Sequence, residues 1–163
     1  MLALRYAYLL ALATWLGGML VLGALVAPST FQILQAIQPI GGRALAGDVF
    51  GAILTRFHFV AYAAGGVMLL TLTAMALLGP RPTAYAVRMV IVSLMLAAAI
   101  YSGFIVLNEI GALQVELGGL ASSLPVTDVR RIRFDELHQL STRLMFFDIA
   151  GALALLFWEA KER

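Results

Sequence analysis

Four apolar runs, at residues 6–27, 57–78, 89–107 and 137–158, are each bounded by charge, glycine or proline. A helix needs about 20 mostly apolar residues to cross a hydrocarbon core of about 30 Å, so each run is long enough to span once and none can span twice. The expected fold is all-α: an integral membrane, antiparallel four-helix bundle, one transmembrane domain over residues 1–163, with short amphipathic helices outside the bilayer. Composition points the same way. The chain is 62% hydrophobic and 12% charged, against roughly 45 to 50% and about 25% in soluble domains. Too little polar surface is left to face water.

The first run follows Arg5 and ends in small residues, as a secretory signal does. A signal core is only about 7 to 15 residues long, so the reading here is a retained helix. With no cysteine, disulfides, thiolate zinc sites, iron-sulfur clusters and cysteine nucleophiles are excluded. Eleven basic against nine acidic residues give a net charge of only +2, and the arginines are dispersed, so no nucleic-acid partner is expected. Phosphate-loop, dinucleotide-fold, HExxH and GxSxG signatures are missing, and the single lysine, Lys161, lies in the tail. The balance leans away from an enzyme.

Four antiparallel spans place both termini and the short connection at residues 79–88 on one side, and the long connections at residues 28–56 and 108–136 on the other. Basic residues divide almost evenly: Arg5, Arg81, Arg88, Lys161 and Arg163 at the short-turn side against Arg43, Arg56, Arg130, Arg131, Arg133 and Arg143 opposite. The opposite set is interleaved with acids, so the termini are assigned to the cytoplasmic side of a bacterial inner membrane. In the long connections, Pro28 is expected to end the first span and Ser29 to cap an amphipathic stretch carrying Phe31, Leu34 and Ile37, closed by Pro39 and Gly41-Gly42. Ile110, Leu113 and Leu117 keep helical spacing up to Gly118-Gly119. Asp128 is expected to cap a helix with Val129, Ile132, Glu136 and Leu140 on one stripe, so that spans three and four project as a hairpin. No repeat, heptad array or low-complexity tract is evident.

Ionisable groups in hydrocarbon are costly, so their positions are informative. Asp148 lies about 16 Å into the fourth span at 1.5 Å per residue, near the midplane. Gly17-Gly18 and Gly65-Gly66 reach a similar depth and could leave room for its carboxyl. Trp15, Thr14, Thr71, Ser93 and Tyr101 are candidate hydrogen-bond partners, making Asp148, Trp15 and Tyr101 the expected intramembrane polar site. The alternative is close helix packing on the glycines. At the long-loop face, His58, His138 and Glu109 come to one level, with Asn108, Arg56 and Asp135 near. Two imidazoles and a carboxylate suit a transition metal, and two histidines on facing helices could hold a b-type haem. Interfacial histidines satisfied by water are the plainer alternative. Met19, Met68, Met95 and Met145 read as core filling rather than thioether ligands. Arg143 is expected to snorkel or to pair with Asp135 or Glu109.

The run Trp15-Leu16-Gly17-Gly18, then Ala27-Pro28 and Phe31, and much later Arg130-Arg131-Ile132-Arg133-Phe134-Asp135-Glu136-Leu137-His138-Gln139-Leu140-Ser141-Thr142, resembles a family of small bacterial four-helix membrane proteins of unknown function related to the transmembrane protein 205-like group. A looser similarity in span count and glycine-rich first helix links it to copper-resistance membrane domains. The resemblance implies a four-helix membrane fold and attaches interest to Arg131, Phe134, Leu137, His138 and Ser141, but it supplies no reaction. Asn108-Glu109-Ile110 stands where a Pro-Arg-Ile-type segment is expected, and an acid in place of a base favours a cation over an anion. The expected function is non-enzymatic binding or permeation of a small cation or solute. The alternatives are an accessory or structural subunit of a larger membrane complex and a b-type haem-bearing electron carrier; the expected partners are the lipid bilayer and either further copies of the chain or a larger membrane complex.

Overall fold

The computed structural model describes residues 1–79, 81–117 and 121–161. Its main elements are four helices: α1 (Leu2–Ile37), α2 (Gly42–Leu78), α3 (Tyr85–Leu117) and α4 (Val129–Lys161), all long and apolar enough to cross a membrane. The chain is a multi-pass membrane protein with an all-α four-helix fold. Helices of 33 to 37 residues extend about 50 to 55 Å at 1.5 Å per residue, roughly 20 Å more than the hydrocarbon core. The surplus lies at the long-loop end, where most of the charged side chains gather.

Helix α1 does not stop at Pro28. A proline inside an α-helix lacks the N–H its turn needs, and its ring presses on the carbonyl four residues back. Here Leu22–Val26 forms a wider π turn immediately ahead of it, which shifts the hydrogen-bond register and lets the helix continue. Ser29 is therefore an interior residue rather than a cap, correcting the expectation from sequence. The helix does end before Pro39. Gly41 takes φ +89°, and a Cβ on Gly42 would lie 2.2 Å from the Leu34 carbonyl oxygen, so glycine alone fits that reversal. Asp128 caps α4 as expected, its Oδ1 accepting from the Arg130 backbone N–H at 2.9 Å. The proposed stripe of Val129, Ile132, Glu136 and Leu140 is not the buried one: Leu137 is buried there, whereas Val129, Ile132 and Glu136 are exposed. Gly118-Gly119 and Arg163 lie outside the described residues.

A repeat hidden in the sequence is plain in the fold. Shifted by 80 residues, the π turn Leu22–Val26 falls on a second π turn, Ser102–Val106, and the tail Ala27–Ile37 falls on Leu107–Leu117. The buried positions follow the same shift. Leu12, Trp15 and Met19 fall on Val92, Met95 and Ala99, while Met68, Leu72 and Met75 fall on Asp148, Ala152 and Leu155. The bundle is thus two like hairpins, α1–α2 and α3–α4, running the same way through the membrane, the arrangement of parallel repeats about an axis along the bilayer normal. The core they enclose holds Tyr8, Trp15, Met68, Leu72, Met95 and Leu155. Without a hydrophobic drive between helices in lipid, close packing carries this association. Gly18 lets the Phe57 ring in, and Gly65 admits Trp15 and Leu96.

Candidate functional site

Asp148 stands eleven residues from Leu137 and eleven from Glu159 on one buried stripe of α4, with Ala152 and Leu155 on the same face. That spacing puts its carboxyl about 16 Å from either end of the stripe, at the middle of the apolar run 137–158. It is 5% exposed, and its Oδ1 has no hydrogen-bond partner among the described residues. In the other hairpin the corresponding residue is Met68, fully buried. One half of the repeat fills this depth with a thioether and the other with a carboxyl.

The polar ring expected around it does not assemble. Tyr101 is 43% exposed, and Thr14 and Ser93 also face outward. Thr71 donates to the Val67 and Met68 carbonyls of its own helix, at 2.7 and 3.1 Å. Trp15 is buried, but its ring lies against Gly65. The glycines expected to make room for the carboxyl instead receive aromatic rings, or, at Gly17 and Gly66, face open space. The glycine beside Asp148 is Gly151, and a Cβ there would come within 2.8 Å of the Met95 sulfur. Ser102, buried at the start of the second π turn, is a polar group of this half that sequence reasoning passed over.

Among the described residues no three His, Asp or Glu side chains are grouped to hold a metal, so His58, Glu109 and His138 do not form the expected cluster. Each is engaged separately. His58 is buried with Nδ1 2.8 Å from the Leu54 carbonyl, and its ring lies over Gly103, where a Cβ would come 2.8 Å from His58 Cδ2 and 2.1 Å from the Tyr62 hydroxyl. His138 is exposed and stacks on Phe134, with centroids 6.4 Å apart and planes 4° apart. Glu109 is claimed by Arg133, whose Nη2 lies 2.7 Å from Oε1. Arg143 is exposed and pairs with neither Asp135 nor Glu109. Of the remaining motif positions, Arg131 Nη1 donates to the Leu124 carbonyl at 2.6 Å, Leu137 is buried and Ser141 half-buried. The Arg131 bond ties the start of α4 to the loop before it.

An ion cluster closes the opposite end of the bundle. Glu159 accepts from Arg5 Nε and, at 3.0 Å, from Arg88 Nη1, while Arg5 Nη2 reaches the Glu159 carbonyl at 3.3 Å. Arg88 is fully buried and Glu159 is 5% exposed. Sequence reasoning counted both arginines only as orientation signals. The signal for their pairing was topological, since the first turns of α1 and α3 and the last turn of α4 all lie at one end.

A family model described as a domain of unknown function (DUF4149) matches residues 10–118, and the chain belongs to that family. The match ends before the Arg131 to Ser141 element. No curated protein and no solved structure matches the chain.

Proposed function

We propose, for this member of a family that brings no reaction with it, a membrane permeation or binding role in which Asp148 exchanges a proton or a small cation at the bilayer midplane. The observation that carries the reading is the Asp148 carboxyl itself, buried at mid-depth with Oδ1 lacking a hydrogen-bond donor among the described residues. An ionised group in hydrocarbon is costly and persists where it serves a pathway or finds a counter-charge. The neighbouring basic residues are remote or turned away: Arg5 and Arg88 are held at the Glu159 level, and Arg143 faces outward. At the equivalent position of the first hairpin stands Met68, which cannot carry a charge.

Proteoliposomes containing the full chain and a pH-sensitive or cation-sensitive dye test this. The wild-type protein should conduct protons or a small monovalent cation, and Asp148→Asn should abolish the flux while keeping the helical circular dichroism of the parent. Flux unchanged in Asp148→Asn, or no proton or cation flux in the wild type, would overturn the reading. A role as an accessory subunit has one observation in its favour: the helix ends and loops beyond the bilayer carry exposed Ile37, Ile40, Val115 and Val126. Recovery of the chain at fixed stoichiometry with one membrane complex would support it, and a monodisperse lone species from mild detergent would not.

A further inference from the structure

We propose that the groove between α1 and α4 at the short-turn end is a binding site for an anionic phospholipid, with the lipid phosphate on Arg5. The groove encloses about 310 Å³ between Leu2, Leu9, Leu156 and Ala160, with Arg5 and Glu159 at its polar edge. Its walls are almost wholly apolar, which suits an acyl chain rather than a soluble anion. Tyr6, 66% exposed, stands beside it as an aromatic at the membrane interface, where such rings settle at headgroup level.

Charge selects the headgroup. Arg5 spends Nε on the Glu159 carboxylate and Nη2 on the Glu159 carbonyl, leaving Nη1 without a hydrogen bond among the described residues. Its side chain is 38% exposed, so this third nitrogen can meet a ligand. Beside the groove Arg5 and Arg88 share the one carboxylate of Glu159, and Lys161 follows two residues on in α4, an excess of basic charge among the described residues. Glu159 also fixes the guanidinium, which lowers the ordering cost of binding a phosphate by its free edge. A zwitterionic headgroup would bring its ammonium into the same basic surroundings and lose that advantage.

The test uses the full chain in nanodiscs of phosphatidylcholine with and without phosphatidylglycerol, with lipid retained after mild delipidation read by native mass spectrometry. Phosphatidylglycerol should be retained in preference to phosphatidylcholine. Arg5→Gln should cut that preference about fivefold, the factor one basic residue near an anionic surface contributes, while Arg81→Gln should leave more of it. Ala160→Trp, which fills the groove from α4 and keeps both Arg5 and Glu159 in the sequence, should cut it as well and covers the case in which Arg5→Gln folds poorly. Equal retention of the two lipids, or unchanged preference in Ala160→Trp, would overturn the proposal. So would inorganic phosphate added to the phosphatidylglycerol-containing discs displacing phosphatidylglycerol completely, because the site would then read the anion alone.

Discussion

Glu159→Gln should be among the most damaging single changes in the bundle. Arg88 is fully buried and its Nη1 lies 3.0 Å from Glu159 Oε2. Removing one member of a buried ion pair costs about 3 to 5 kcal/mol, because the remaining charge stays out of water. The glutamine carbonyl can still accept one N–H, so the low end, about 3 kcal/mol, applies. Arg5 is more than a third exposed, and its own pairing with Glu159 contributes at most about 1 kcal/mol. At about 2 to 4 °C per kcal/mol for a chain of this size, Glu159→Gln should lower the detergent-solubilised Tm by about 6 to 12 °C. Arg5→Gln should lower it by no more than about 2 to 4 °C. The double variant Arg88→Met/Glu159→Leu should recover most of the loss, since matched apolar replacement of a buried pair is often neutral. Circular dichroism melts of the four proteins decide the matter. A Glu159→Gln loss no larger than that of Arg5→Gln, or a double variant as unstable as the single one, would refute the claim that burial of Arg88 sets the magnitude.

Gly103→Ala should cost about 1 to 3 kcal/mol through overpacking, because its Cβ would fall 2.1 Å from the Tyr62 hydroxyl. Adding Tyr62→Phe should return part of that in the same melt. Pro28→Ala should let the π turn at Leu22–Val26 relax toward α-helix, seen as a changed spin-label distance between positions 17 and 33. An unchanged distance would mean that packing, not proline, holds the turn. Asp128 is held below the usual carboxylate range by its side-chain bond to Arg130, so its contribution to capping α4 is in place above its unfolded pKa and is lost as pH falls through the folded one. Hydrogen exchange at residues 129–133 should rise over that window in the wild type and be high at all pH values in Asp128→Ala.

The spans were legible because hydrocarbon thickness acts directly on composition: a run of apolar residues is its own evidence. Asp148 was legible for the same reason, as one acid in such a run. What surrounds it was not. Helical rise gives depth, but the direction a side chain faces depends on which helix packs on which stripe, and that turned Tyr101, Thr14 and Ser93 outward. Depth alone likewise suggested that His58, Glu109 and His138 would meet, although Arg133 takes Glu109 and Leu54 takes the His58 ring. Pro28 misled because a π turn, which has no sequence signature of its own, can absorb a proline. The repeat escaped notice for a related reason. Packing requires only that burial recur, so Met68 can stand for Asp148 and Tyr8 for Arg88 with almost no identity to find beyond pairs such as Gly23 with Gly103 and His58 with His138.

Infrared difference spectroscopy of the protein in lipid, recorded during a pH or cation titration, tests the role of Asp148 most directly. A carboxyl band should convert between protonated and ionised forms while the amide bands hold steady, and should be missing from Asp148→Asn. A carboxyl signal identical in wild type and Asp148→Asn, or one that stays fixed throughout the range in which the protein remains folded, would contradict it.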